Sequence, residues 1–267
     1  MNKRIIKKIT AITLMLVMTL STATVSLATV SAANDNITYN LSFKTAGSNG
    51  SSINDIIIVV HGTNGSTRKH NLGVVGYSST DTASFEDVNV GTITGVTVET
   101  DDRITLTTAK DGWYPESITV NDTTIYGGRW VDEEKPVTLM TTDEVYKITI
   151  KTGDNNGAGT DSDVKVTLYS ANGKTSQCVN ASAVHPCVNA FERKDKMSFY
   201  MYVGTNFDKA NKITFEVPGC GIYAAGISWF LESVSGEKIQ GSTYDNFTIS
   251  PNTWIAGSES WKKTFTI

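Results

Sequence analysis

The sequence predicts an all-β protein made of two antiparallel β-sandwiches, and three observations carry this prediction. Short runs rich in Val, Ile, Thr, Tyr and Phe recur along the 267 residues and are separated by clusters of Gly, Asn, Asp and Ser. Many runs alternate apolar and polar residues, as half-buried antiparallel strands do, whereas helical periodicity is hard to find after residue 33. The chain also repeats itself. Many short strands at this spacing are typical of β-sandwiches.

The first 32 residues are predicted to be a secretory signal peptide rather than part of the fold. They combine a basic head, an apolar run from Ile9 to Leu20 that is short for a membrane helix, and small residues from Val30 to Ala32 that suit cleavage. The basic residues of the head are Lys3, Arg4, Lys7 and Lys8. We therefore expect a secreted, extracellular protein.

Charge and hydropathy exclude two classes of protein. The formal net charge is −4, and loss of the four basic residues of the head would take it to −8. An acidic chain lacks the basic face that nucleic-acid binding requires. No later apolar stretch approaches the roughly 20 residues of a membrane helix, so the mature chain is expected to carry no transmembrane segment.

Two segments of the chain read alike and define the predicted domains. Tyr39 to Gly50 reads YNLSFKTAGSNG, and Tyr146 to Gly157 reads YKITIKTGDNNG. Each copy ends with a late tryptophan, Trp130 or Trp254. We therefore predict two copies of one sandwich, over residues 36–142 and 143–267.

The strongest enzyme-like signal is the segment from Asp55 to Gly65, DIIIVVHGTNG. An apolar strand that ends in His-Gly is found in α/β-hydrolases, but that fold also needs a Gly-x-Ser-x-Gly elbow and alternating helices, which the sequence lacks. The three histidines, His61, His70 and His185, stand at no metal-ligand spacing. We therefore predict a buried strand and a hairpin turn here, and no catalytic residue.

The segment from Asp154 to Asp163, DNNGAGTDSD, has the composition of a calcium-binding loop. It supplies carboxylate, amide and hydroxyl oxygens, which calcium prefers, and glycines that let the backbone bring them together. It is not an EF-hand, because the spacing and the terminal Glu are missing. The alternative is an acidic loop that connects two strands and binds no ion.

All three cysteines come late in the chain. Cys178 and Cys187 flank the segment from Val179 to Pro186, and export would allow a disulfide between them and leave Cys220 free. The alternative is three reduced thiols.

From Tyr146 onwards the chain resembles the PLAT domain family, also called lipoxygenase-homology-2. Tyr146 to Leu168, YKITIKTGDNNGAGTDSDVKVTL, is similar to the family's opening strand, Thr-Gly-Asp turn, Gly-Ala-Gly-Thr-Asp loop and second strand. The likeness continues through Phe191 to Arg193, Ser228 to Val234, and Phe247 to Trp254. The resemblance implies an antiparallel sandwich of about eight strands that serves as a binding module rather than a catalyst.

The first copy is a weaker match to the same family. It keeps Lys44-Thr45 and Asn49-Gly50, but Ser51 to Asn54 stands where the family has Ala-Gly-Thr-Asp. Its segment from Tyr114 to Val120 is similar to a strand in the C-terminal lipid-binding domain of clostridial phospholipase C toxins. The resemblance implies binding to lipid, often with calcium, or to a partner protein.

The resemblance also implies calcium ligands, and each copy fills the family's pattern only in part. In the second copy the positions are Asn156, Gly157, Gly159, Thr160 and Asp161. In the first copy they are Asn49, Asp111 and Gly112. Each copy has lost acidic ligands, and charge count sets the affinity of such sites. Calcium binding is therefore expected to be weak.

Residues beside these loops are the predicted membrane contacts. Trp113 and Tyr114 follow Gly112, and Ile222 and Tyr223 lie in a second loop. Amphipathic rings at loop tips suit a lipid interface, while the alternative for Trp113 and Tyr114 is packing where a strand begins. The later pair Trp229-Phe230 matches core positions of the family and is assigned to packing.

These observations together predict an exported, non-enzymatic protein that binds a lipid or membrane surface with weak assistance from calcium. The alternative is a protein- or glycan-binding accessory or adhesion module at the cell surface.

Overall fold

The computed structural model describes residues 35–47, 52–76, 79–101, 112–132, 135–184, 190–217, 228–255 and 262–267. Within these ranges the chain forms eighteen β-strands and no helix, and the strands pair antiparallel. The predicted all-β class is therefore confirmed. The same ranges hold no helix long and apolar enough to cross a bilayer. The predicted signal peptide, residues 1–32, lies outside them.

The first nine strands form two sheets around one core. They are β1 (Asn36–Thr45), β2 (Ser52–Gly62), β3 (Gly65–Ser66), β4 (His70–Val75), β5 (Thr80–Val88), β6 (Ile93–Asp101), β7 (Pro115–Val120), β8 (Thr123–Tyr126) and β9 (Val137–Met140). One sheet has the order β5-β1-β7-β8, and the other has the order β3-β2-β6-β9 with β4 also paired to β2. Both sheets supply side chains to one buried cluster, as in a sandwich.

The last nine strands form a second pair of sheets around a second core. They are β10 (Glu144–Thr152), β11 (Lys165–Ser170), β12 (Val179–Asn180), β13 (Lys196–Gly204), β14 (Ala210–Glu216), β15 (Trp229–Gln240), β16 (Asn246–Ile249), β17 (Thr253–Ile255) and β18 (Lys262–Thr266). One sheet has the order β13-β10-β15-β16 with β17 also paired to β15, and the other has the order β12-β11-β14-β18.

Side-chain alternation explains why these segments become sandwich strands. In β10, Tyr146, Ile148 and Ile150 are buried, while Lys147 and Thr149 between them are half-exposed. Successive side chains of a strand point to opposite faces, so this pattern gives the sheet one apolar and one polar face. The apolar faces of two such sheets can leave water only by packing on each other.

The two sandwiches repeat individual contacts as well as strand order. In the first, Ala46 N donates to Tyr114 O at 3.0 Å. In the second, Gly153 N donates to Phe230 O at 3.0 Å. Each bond joins the end of the sandwich's first strand to the residue that follows a buried tryptophan, Trp113 or Trp229.

The two sandwiches are joined by direct contacts. Tyr114 Oη donates to Tyr200 O at 2.7 Å, and Tyr114 packs with the core of the second sandwich. Tyr202 N donates to Gly128 O at 3.0 Å. Gly128 has φ +71°, and a Cβ there would lie 2.8 Å from Tyr202 N, so the junction requires glycine at this position.

Candidate functional site

The loop after β10 contains the first predicted calcium ligands, and its leading carboxylate is already paired. Asp154 Oδ1 lies 2.5 Å from Arg193 Nη2, and its Oδ2 lies 3.1 Å from Lys194 Nζ. Arg193 Nε also donates to Asp154 O at 2.9 Å. Lys194 and Arg193 hold the pKa of Asp154 below its ordinary value. Both carboxylate oxygens of Asp154 are therefore already paired with cations.

The rest of the loop lines a shallow groove of about 270 Å³ beside Glu192. Thr160 is buried, and its Oγ1 accepts a hydrogen bond from Ser162 N at 3.1 Å. Gly159 is half-buried, whereas Asp161 is exposed to solvent. The remaining predicted ligands, Asn156 and Gly157, are also exposed.

These residues do not fit a preformed calcium site. Calcium binds six to eight oxygens, several of them from carboxylates. Across the described ranges, no three His, Cys, Asp or Glu side chains converge as metal ligands. In the first sandwich, Gly112 packs beside the Trp130 ring, while Asn49 and Asp111 lie outside the described residues. The weak calcium site of the first sandwich therefore stays a prediction.

The predicted membrane contact by Trp113 and Tyr114 is wrong in this structure, because both side chains are buried. Trp113 is 0% exposed and packs edge-on against Phe43 at 6.2 Å between ring centroids. Tyr114 is 1% exposed, since the second sandwich covers it. The structure thus agrees with the alternative expectation, in which Trp113 and Tyr114 pack where a strand begins.

Three other predicted residues, Ile222, Tyr223 and Cys187, lie outside the described residues. Cys178 is exposed. The membrane contact by the second loop and the Cys178–Cys187 disulfide therefore remain predictions.

An open aromatic pair lies beside the loop after β10. Trp254 in β17 is opposite Phe230 in β15, with ring centroids 5.2 Å apart and planes at 77°. Trp254 is 40% exposed, and Phe230 is half-buried. Phe230 N donates to Ala158 O at 3.0 Å, and a Cβ on Gly153 would clash with the Phe230 ring. The loop and the aromatic pair thus form one surface.

Lys263 is bound to β17, the strand that carries Trp254. Lys263 Nζ donates to Thr253 Oγ1 at 2.8 Å and to Trp254 O at 3.3 Å. The ammonium is thereby fixed to the backbone of the residue that carries the exposed indole. A lysine bound to the strand of an exposed amphipathic ring suits the boundary between apolar and polar phases.

The first sandwich has an equivalent aromatic pair, but there it is covered. Tyr114 and Trp130 are 5.2 Å apart at 72°, which nearly repeats the geometry of Phe230 and Trp254. Both rings pack with the core of the second sandwich. The same surface is therefore filled by protein in the first sandwich and open in the second.

The sequence carries one signal for this surface, in the alternation of side chains along β15. Trp229 is wholly buried, as predicted, and its neighbour must face the opposite side of the strand. Phe230 could therefore have been expected at the surface rather than in the core. For Trp254 the sequence offers only its place at the end of the repeat and of the segment from Phe247 that resembles the family.

Comparison with known proteins places the second sandwich in a family. Residues 146–267 match the family described as the PLAT/LH2 domain. A search of curated proteins finds no match.

Solved structures of lipoxygenases resemble part of this chain. Coral 8R-lipoxygenase, described as activated by calcium through a C2-like domain, is 20% identical over 46% of this chain and 17% of its own, with a TM-score of 0.37. A LOX deletion variant is 18% identical over 46% of this chain and 16% of its own, with a TM-score of 0.37. This chain thus spans less than a fifth of the length of those proteins. Residues 146–267 of this chain form a PLAT/LH2 domain.

Proposed function

We propose that this protein is an exported, non-catalytic module that binds a lipid or membrane surface through Trp254 and Phe230. The PLAT/LH2 assignment supports a binding role, since the family consists of lipid- and protein-binding modules. One observation carries the choice of surface. The aromatic pair that protein covers in the first sandwich is open in the second. We further propose that the first sandwich is a divergent copy of the same module.

The size of the aromatic surface sets the expected strength of binding. An indole with 40% of its surface exposed offers about 100 Å², which corresponds to about 2.5 kcal/mol on removal from water. A millimolar affinity requires about 4 kcal/mol, so burial of this indole alone would not reach it. We therefore expect weak, reversible binding to a vesicle surface, strengthened where neighbouring loops also touch the lipid.

Charge favours a zwitterionic surface over an anionic one. The net charge is −8 once the predicted signal peptide is removed, so anionic lipid would repel the protein as a whole. Calcium could bridge such charges, but Arg193 and Lys194 already neutralise Asp154 in the second sandwich. We therefore propose that the described loop binds lipid without calcium.

Co-sedimentation with phosphatidylcholine vesicles tests the proposal, with the mature protein in calcium and in excess EDTA. We expect pelleting in both conditions and a large loss in Trp254→Ala. Tyr244→Ala is the matched control, because Tyr244 is also exposed but lies beside Glu237, about 23 Å along β15 from Phe230. Pelleting only in the presence of calcium would indicate that a calcium site elsewhere in the chain binds the lipid. Absence of pelleting with every lipid mixture would overturn the proposal.

A protein partner is the second candidate, and the covered pair in the first sandwich supports it. There, Tyr114 is buried and Trp130 is partly buried against a strand-rich surface rather than a lipid. A partner with such a surface could cover Phe230 and Trp254 in the same way. Saturable capture that depends on Trp254 but is not reduced by vesicles would favour this candidate.

A further inference from the structure

A polar groove lies on the outer face of the second sandwich, away from the aromatic pair. It has a volume of about 560 Å³, within the range of small-molecule sites. Strands β10, β15 and β16 form its floor, and Tyr244 stands at its side. Tyr244 is 71% exposed, the largest exposed fraction among the large hydrophobic side chains of the described residues.

The loop that carries Tyr244 is anchored by a buried carboxylate. Asp245 Oδ2 accepts hydrogen bonds from Tyr146 Oη at 2.5 Å and from Ala210 N at 2.9 Å. Lys238 N donates to Asp245 O at 2.8 Å. Asp245 is buried, and Tyr146 is completely so. The residue next to Tyr244 is therefore fixed to the core of the sandwich.

The two residues on the other side of Tyr244 are also held by buried groups. Ser242 Oγ donates to Glu144 Oε1 at 3.1 Å, and Lys238 Nζ donates to Thr243 Oγ1 at 3.1 Å. Glu144 and Lys238 are both buried and lie 3.6 Å apart as an ion pair. Three of the residues around Tyr244 are thus tied inward while its own ring stays in solvent.

The ring itself is oriented from the groove side. Asn246 Nδ2 donates to Tyr244 Oη at 2.9 Å, and Asn246 also lines the groove. A fixed loop and a tethered hydroxyl reduce the conformational freedom that the ring would lose on binding. Tyr244 is therefore a preorganised aromatic platform beside the groove.

The floor of the groove offers polar side chains that bond to no other side chain within the described residues. Lys147 and Glu237 are opposite each other on β10 and β15, yet neither has a hydrogen bond or ion pair with another described side chain. Ser235 and Thr248 are a second opposed pair in the groove, and within the described ranges their hydroxyls are also unengaged. An ammonium, a carboxylate and two hydroxyls are thus available for hydrogen bonding.

We propose that this groove binds an uncharged oligosaccharide. A pyranose ring has an apolar face that stacks on an aromatic ring and a rim of hydroxyls that both donate and accept hydrogen bonds. Tyr244 supplies the ring, and Lys147 and Glu237 supply a donor and an acceptor. Their opposite charges cancel, so the groove does not favour a charged ligand. The polar floor is also unsuited to an acyl chain.

Affinity electrophoresis through laminarin, xylan and glucomannan tests the proposal, with the affinity for any retarding polysaccharide measured by calorimetry. We expect retardation by at least one, a loss of about tenfold in affinity in Tyr244→Ala, and near-native affinity in Tyr244→Phe. Glu237→Gln, which removes the charge but keeps a hydrogen-bonding side chain, should weaken binding several-fold.

Trp254→Ala separates this site from the proposed lipid surface, because it should leave polysaccharide binding unchanged. Retardation by none of the three polysaccharides would overturn the proposal. Equal affinity in the wild type and Tyr244→Ala would do the same. Vesicle binding that depends on Tyr244 instead of Trp254 would show that the groove side faces lipid and would also contradict the proposal.

Discussion

Trp229 Nε1 donates a hydrogen bond to Thr152 Oγ1 at 2.9 Å, and both side chains are buried in the second sandwich. The first sandwich repeats the bond, from Trp113 Nε1 to Thr45 Oγ1 at 3.0 Å. A buried indole N–H needs an acceptor, because an unpaired polar group in the core is costly. The repeated bond therefore fixes the same tryptophan to the end of the same strand in both sandwiches.

Replacing the acceptor tests how much this bond stabilises the sandwich. Thr152→Val keeps the volume but leaves the Trp229 N–H unpaired, so we expect the free energy of unfolding to fall by about 1–3 kcal/mol. Urea denaturation measures the change. Thr248→Val is the control, since Thr248 is exposed on β16. Equal losses in the two variants would mean that the buried bond contributes nothing.

The strands and the facing of their side chains could be predicted from the sequence, since both depend on local alternation. Features that depend on residues far apart in the sequence could not be predicted in this way. Asp154 is neutralised by Arg193, which is 39 positions away. Asp245 is held by Tyr146, which is 99 positions away. Tyr114 is buried only because the second sandwich covers it. Each case depends on which loops meet in space, and composition carries no signal for that.

The junction between the sandwiches is expected to be sensitive to a single methyl group. In Gly128→Ala the new Cβ would lie within 3.0 Å of Tyr202 N and Met201 N, in addition to the strain of φ +71°. Gly157→Ala is the matched control, because Gly157 has φ +74° and an added Cβ would meet nothing within 4 Å. We expect Gly128→Ala to lower the melting temperature clearly more than Gly157→Ala. Similar shifts in both variants would show that backbone strain alone decides the effect.

The ion pairs that Asp154 forms in the calcium-like loop can be tested by measuring the pKa of Asp154. Lys194 and Arg193 lower the pKa of Asp154. In the double variant Arg193→Gln and Lys194→Gln this pKa should rise towards the ordinary value of about 3.9. Carboxyl chemical shifts followed by NMR over a pH series measure it. Lys174→Gln, elsewhere on the second sandwich, should leave it unchanged, and an unaltered pKa in the double variant would contradict the assigned cause.

Asp87 in the first sandwich is expected to make the free energy of unfolding depend on pH in the acidic range. Burial opposes its charge, but hydrogen bonds outweigh burial and place the pKa far below the ordinary value. They come from His70 Nε2 at 2.7 Å, Val88 N at 2.7 Å, and Arg68 N at 2.9 Å and Nε at 3.3 Å. The folded state therefore keeps the carboxylate ionised at pH values where the unfolded chain binds a proton.

The sign of the pH dependence follows from this difference. Because the folded pKa is depressed, the stabilisation is fully present above the unfolded pKa of about 3.9 and is lost as pH falls below it. Asp87→Asn should be less stable than the wild type by about 2 kcal/mol at pH 7, and this gap should narrow at pH 3. Urea denaturation at both pH values measures the gap, with the exposed Asp122→Asn as control. A gap that stays constant from pH 7 to pH 3 would mean that the charge of Asp87 is not what stabilises this corner of the first sandwich.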